Sequence, residues 1–171
     1  TSSSSMAASS TEFTAILLAG GSGKRLWPLS TAKRPKQFLT IFGGKSLLRQ
    51  TYDRLKGLAD SIRVITAARL KRDTEREGIP WRDIIGEPMK RDTGAAVALG
   101  AGLVKEGVVG FFPADQLVEN ARRFAKCVRE AIAIAKKRDV IVTIGIKPTS
   151  PSTAFGYIDP RGGKFVEKPS L

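Results

Sequence analysis

Gly20, Gly21 and Gly23 fall within four consecutive positions directly after the apolar run Ile16-Leu17-Leu18-Ala19. Two groups of cations follow within reach, Lys24-Arg25 and Lys33-Arg34-Pro35-Lys36. With no Cβ in the way, backbone N–H groups in such a turn approach an anionic ligand closely, so the spacing suits a chain of phosphates. Arg25 would add a forked guanidinium to such a phosphate chain. Neither standard nucleotide fingerprint fits: the glycines lack the GxGxxG spacing, and Gly44-Lys45-Ser46 has Leu39 where a Walker A motif needs its first glycine. Further on, Asp115 follows the apolar run Val108 to Phe112 through Pro113-Ala114. A carboxylate after a buried strand, facing phosphates, suits Mg²⁺, which takes one or two carboxylates plus phosphate oxygens and water.

The elements that must hold these groups alternate between strand and helix patterns. Phe13 to Leu18, Ser61 to Thr66, Ile84-Ile85, Val108 to Phe112 and Val140 to Ile146 are short apolar or β-branched runs of the kind buried in a parallel sheet. Between them, Ser46 caps a helix through Leu55, Thr93 opens and caps a small-residue helix to about Lys105, and Glu119 to Lys137 forms a long amphipathic helix. This alternation predicts an α/β fold, a Rossmann-like three-layer α/β/α arrangement with a mainly parallel sheet. Phe155 to Ile158 and Lys164 to Glu167, joined across Pro160 to Gly163, predict a C-terminal hairpin added to that sheet. In open parallel sheets ligands bind beyond the carboxyl ends of the strands. The glycine turn, Glu87-Pro88 and Pro113-Ala114-Asp115 each follow such an end.

The combination of Gly-Ser-Gly-Lys-Arg-Leu-Trp-Pro-Leu with Arg-Pro-Lys-Gln-Phe soon after resembles the signature of the sugar-nucleotide pyrophosphorylases, and within them the mannose-1-phosphate guanylyltransferases most closely. The resemblance runs from about Phe13 to Pro169. It implies transfer of GMP from GTP to mannose 1-phosphate, giving GDP-mannose and pyrophosphate with Mg²⁺ as cofactor. Leu18, Ala19, Gly20, Gly21, Ser22, Gly23 and Lys24 would form the nucleotide-binding loop, with the Lys24 ammonium itself left solvated. Arg25, Lys36 and Lys168 would contact the reacting phosphates, and Asp115 would hold the metal. Glu87 lies in a segment similar to the family's base-reading segment, which also contains Arg91, Asp92 and Thr93 to order the loop. Guanine presents its N1–H and N2–H donors on one edge, where a single carboxylate accepts both; adenine has an acceptor at N1. Gly156 and Glu167 would meet the sugar. Gln116 stands where the family commonly carries histidine, and Ala154-Phe155 where Gly-Tyr is usual. Relative to the family, the chain reads as an N-terminal part, residues 13–171 forming a nucleotidyltransferase domain that is C-terminally incomplete. The alternatives are another hexose-1-phosphate nucleotidyltransferase or a truncated non-catalytic nucleotide-binding module.

Composition narrows the chemistry. The 171 residues contain no histidine, so imidazole bases and His-containing triads or metal sites are excluded within them. A phosphate nucleophile is already an anion and needs no general base, so lysine, arginine, carboxylate and metal suffice. Lys plus Arg at 29 against 16 Asp plus Glu gives a net charge of +13, which attracts phosphates. The cations are dispersed and not interleaved with aromatics, so nucleic acid is not an expected partner. Cys127 is the only cysteine, which rules out an intrachain disulfide here and suits a reducing compartment. No apolar stretch is long enough for a membrane span, so a cytoplasmic protein without membrane contact is expected. A homodimer is a compatible assembly. Residues 1–12 read as a disordered tail.

Overall fold

The computed structural model describes residues 12–21, 27–31, 34–89, 92–159 and 161–170. Among the described residues, six strands and four α-helices run in the order β1 (Phe13–Leu18), α1 (Leu47–Leu55), β2 (Ser61–Ala67), α2 (Lys71–Arg76), β3 (Ile84–Glu87), α3 (Thr93–Gly102), β4 (Val108–Pro113), α4 (Ala121–Lys137), β5 (Gly156–Asp159) and β6 (Lys164–Glu167). The first four strands form one sheet in the order β3-β2-β1-β4, every neighbour parallel. The chain steps outward from β1 to β2 and β3, then crosses back to place β4 on the other side of β1. That reversal makes the β1/β4 boundary a topological switch point, where parallel sheets open a crevice at their carboxyl edge.

Burial sorts by strand parity. Phe13, Ala15 and Leu17 of β1 join Leu48, Tyr52 and Leu55 of α1 and Val128 of α4 in one core, while Ile16 joins Ile65 and Ala96 of α3 in another. Helices therefore cover both faces, giving the expected three layers. Ser46 caps α1, its Oγ accepting from the Arg49 N–H at 3.0 Å. The small residues of α3 bring it close to the sheet: a Cβ on Gly100 would stand 2.7 Å from Phe111 and 2.8 Å from Ile16. On the other face Phe112 meets Phe13 and Phe124 edge-on, with centroids 6.4 and 6.0 Å away, and so ties α4 to β4.

Three features depart from the sequence reading. Thr93 is the first helical residue of α3, and the cap position falls one residue earlier, on Asp92, whose side chain makes no capping bond. Lys71–Arg76 forms a short helix that the polar sequence conceals, anchored by Leu70 and Thr74, both buried. Residues 140–146 join no ladder. Ile141 is 98% and Ile146 81% exposed; an apolar, β-branched run becomes a strand only where a neighbour takes its N–H and C=O groups, and β4 pairs with β1 alone.

The chain divides into two compact units, one up to Val140 and the other from Ile141 onward. In the second, β5 and β6 pair antiparallel with Gly156 opposite Glu167 and Asp159 opposite Lys164. They form the C-terminal hairpin that the sequence predicts, as a two-stranded sheet. Among the described residues, no helix is long and apolar enough to cross a membrane.

Candidate nucleotide-binding edge

The last residues of β1 are a junction for the surrounding loops. The Leu18 carbonyl accepts from the Ala114 N–H at 3.1 Å, and the Ala19 N–H donates to the Ile65 carbonyl at 2.8 Å. The Ala19 carbonyl accepts from Gln37 Nε2 at 2.7 Å and from Thr66 Oγ1 at 3.2 Å. Gln37 is 2% exposed and Thr66 fully buried. Three segments, from β2, from the turn after residue 34 and from the end of β4, are thereby fixed to one dipeptide.

Lys36 opens a 3₁₀ turn, Lys36–Phe38, whose Gln37 and Phe38 are buried, as are Pro35 and Leu39 on either side. Lys36 alone in this stretch keeps a partly exposed side chain, and its Nζ lies 3.3 Å from Asp115 Oδ2. The site thus places a lysine and a carboxylate face to face at the switch point. Asp115 retains 44% side-chain exposure, so its oxygens remain open to a second ligand. Among the described residues no three His, Cys, Asp or Glu side chains cluster to hold a metal by themselves. A single accessible carboxylate fits Mg²⁺ carried by phosphates, since that ion keeps phosphate oxygens and waters in its shell.

Glu87 ends β3, two strands from β1 and so roughly 10 Å away across the sheet. Its side chain and the loop after β1 meet across that gap: a Cβ built on Gly20 would lie 3.0 Å from Glu87 Oε2. Gly20 therefore gives the carboxylate room against the loop, in addition to the close backbone approach expected of it. Gly21 is exposed with open space on its Cβ side. Asp92 and Thr93 sit exposed at the start of α3, where the helix dipole favours the Asp92 carboxylate. Ser22, Gly23, Lys24, Arg25 and Arg91 lie outside the described residues.

The second unit brings together the other expected residues. Across the β5–β6 ladder, a Cβ on Gly156 would clash with the Phe165 ring and stand 2.7 Å from Glu167 Oε2, so glycine is what lets the Glu167 side chain lie over this position. Lys168 has a left-handed backbone, φ 44°, which costs a non-glycine residue about 1–3 kcal/mol. Its N–H donates to the Phe155 carbonyl at 3.1 Å and its Nζ pairs with Glu167 Oε1 at 3.2 Å.

Two cavities lie away from this edge. One, of about 350 Å³, is lined by Arg72, Glu75, Arg76 and Trp81. The other, of about 410 Å³, lies at the start of β2 beside Ser61, Arg63, Arg82 and Asp83, toward the amino edge of the sheet. Neither contains a residue expected to bind the nucleotide. The sequence reading does not single out Gln37 or Thr66. The available signal for Gln37 was an amide set between a cation and the apolar Phe38-Leu39.

Comparison with known proteins identifies the family. The family model described as nucleotidyl transferase matches residues 14–171. A mannose-1-phosphate guanylyltransferase of Salmonella montevideo is 38% identical over 184 residues, covering 92% of this chain and 38% of that protein. A solved structure described as mannose-1-phosphate geranyltransferase from Thermus thermophilus is 37% identical with a TM-score of 0.77, covering 93% of this chain and 51% of the other. One described as mannose-6-phosphate isomerase from Helicobacter pylori is 28% identical with a TM-score of 0.78, covering 94% and 62%. The chain thus spans well under half the length of the curated relatives it matches.

Proposed function

The chain belongs to the nucleotidyl transferase family, and we propose that it serves the transfer of GMP from GTP to mannose 1-phosphate, forming GDP-mannose and pyrophosphate. The observation that carries the guanine assignment is Glu87 reaching the glycine loop at Gly20. A carboxylate in that place accepts from both N1–H and N2–H of guanine and opposes the N1 acceptor of adenine. Sites that hydrogen-bond one partner's polar edge reject an analogue lacking it by large factors. The names of the guanylyltransferase relatives support the same base and sugar.

A phosphate oxygen of mannose 1-phosphate attacks the α-phosphorus of GTP in line, the bond to the bridging oxygen breaks, and pyrophosphate leaves with that electron pair. The residues contribute position and charge, not proton transfer. The amides at Gly20 and Gly21 face the phosphates, and Lys36 neutralises charge as it passes to the leaving group. Arg25 adds a second cation by family resemblance. Gly156 and Glu167 receive the sugar, the Glu167 carboxylate accepting from its hydroxyls, and Lys168 holds its phosphate. Bound Mg²⁺ supplies Lewis-acid stabilisation of phosphate charge, and Asp115 is the residue that would hold it. The reaction belongs in the cytoplasm, where GTP is available and the unpaired Cys127 stays reduced.

Calorimetric titration with GTP and with ATP, each with Mg²⁺, followed by a pyrophosphate-release assay with mannose 1-phosphate, tests this reading. GTP-selective binding with pyrophosphate release is the expected result. Equal affinity for the two nucleotides would remove the role given to Glu87, and selective binding without release would leave a nucleotide-binding module in place of a transferase.

A further inference from the structure

We propose that Gln37 is a positioning residue for nucleotide binding, acting through the Ala19 carbonyl to set the glycine loop and Lys36 relative to one another. This rests on the reading of the carboxyl edge as a nucleotide site. A loop that presents backbone amides to phosphates must have its first peptide oriented before the ligand arrives, because each misdirected amide costs ordering energy on binding. Sheet pairing alone does not provide this for Ala19. Its N–H is committed to Ile65, but its carbonyl points beyond the ladder and is fixed by side chains, Gln37 Nε2 at 2.7 Å and Thr66 Oγ1 at 3.2 Å.

The Gln37 bond has a second consequence. Gln37 occupies the middle of the 3₁₀ turn that Lys36 begins, and it is buried together with Phe38 and Leu39. Anchoring its amide on Ala19 locks that turn to the end of β1, which leaves Lys36 directed at Asp115. Asp115 is referenced to the same place, through the bond from Ala114 N–H to the Leu18 carbonyl. The loop amides, the lysine and the carboxylate therefore share one origin on adjacent residues. Gln37 touches none of the reacting atoms; it defines where the groups that do so stand.

Gln37→Met keeps the length and fills the buried space but removes the donor, and Thr66→Val does the same for the longer bond. In ligand-free protein, amide hydrogen exchange at Ala19 and Ala114, whose N–H groups are bonded at the end of β1, is expected to quicken roughly tenfold in Gln37→Met, the scale set by losing one buried hydrogen bond. Exchange in α1 and β2 should stay near the wild-type rate. The GTP dissociation constant should rise by a similar factor, with a smaller rise for Thr66→Val. Should Gln37→Met fail to fold, Gln37→Glu keeps the shape and sets a carboxylate against the carbonyl, with the same expectation. Unchanged Ala19 and Ala114 exchange in a folded variant would overturn the proposal, as would faster exchange spread evenly over the sheet. A wild-type chain that binds no GTP would instead overturn the nucleotide reading, while the exchange measurement still decides the role of Gln37.

Discussion

Lys36 Nζ and Asp115 Oδ2 stand 3.3 Å apart, brought together by the turn after β1 and the end of β4. Both side chains are partly exposed, so solvent screening leaves the pair little to contribute to stability. On the function proposed above, both are ligand-binding groups, and each would exchange this partner for the ligand. Phosphates and their metal would compete for both partners, separating the pair.

Lys36→Ala should accordingly divide function from stability. The melting temperature should move by no more than about 4 °C, whereas GTP affinity should fall roughly tenfold or more through loss of a charge-assisted bond. Asp115→Asn should abolish the Mg²⁺ dependence of GTP binding without a comparable loss in Mg²⁺-free buffer. Calorimetry with and without Mg²⁺, alongside thermal melts, checks both. Full Mg²⁺-dependent binding in Asp115→Asn would end the metal assignment.

The space between Gly20 and Glu87 leads to a selectivity prediction. Alanine at position 20 would place a methyl 3.0 Å from Glu87 Oε2, tight enough to push the carboxylate aside by a few tenths of an ångström. Gly20→Ala is expected to lower GTP affinity while leaving ATP binding nearly unchanged, narrowing the ratio between them. Glu87→Gln, which swaps one acceptor for a donor, should reduce GTP affinity by roughly tenfold or more. Competition titrations with the two nucleotides give the ratio directly. An unaltered ratio in both variants would mean that Glu87 reads no base.

Much of this arrangement was legible in the sequence because its signals are local. A buried parallel strand declares itself as an apolar run, so Phe13 to Leu18 and Val108 to Phe112 were readable, and Ser46 announced α1 by its capping chemistry. Asp115 and Glu87 were legible as residues following strand ends, which in a parallel sheet share one edge. The partnership of Lys36 with Asp115 was not, because it depends on β4 returning beside β1. Gln37 and Thr66 were hidden for a related reason: their importance lies in one backbone carbonyl, and a carbonyl has no letter in the sequence. Residues 140–146 misled because β-branched composition describes a preference that only a pairing partner makes real.

Acid stability should report on α1. Burial raises the Asp53 carboxyl, but hydrogen bonds from Lys45 at 2.8 Å and Arg49 at 3.0 Å outweigh it and hold the group below its ordinary value of 3.8. A carboxyl depressed in the folded state stabilises fully above its unfolded value and loses that contribution as pH falls through the folded one. Denaturant midpoints should therefore decline below about pH 4 more steeply in the wild type than in Asp53→Asn. Parallel pH profiles for the two proteins would show that the Lys45 and Arg49 contacts do not persist in solution.

Gly156 offers a way to separate sugar recognition from nucleotide recognition. Alanine there would press on the Phe165 ring and on Glu167 Oε2, which stands 2.7 Å from the new methyl position. Because Gly156 and Glu167 face each other in the β5–β6 ladder, neither can move without shifting the carboxylate given to the sugar hydroxyls. Lys168 follows Glu167 directly and pairs with it at 3.2 Å, so its ammonium would shift too. The variant Gly156→Ala should raise the KM for mannose 1-phosphate roughly tenfold, as expected from one displaced charged hydrogen-bonding group, while GTP affinity stays at the wild-type value. Initial-rate measurements of pyrophosphate release at saturating GTP, paired with GTP calorimetry, distinguish the two constants. A fall in GTP affinity equal to the rise in KM would assign the hairpin to the nucleotide instead of the sugar.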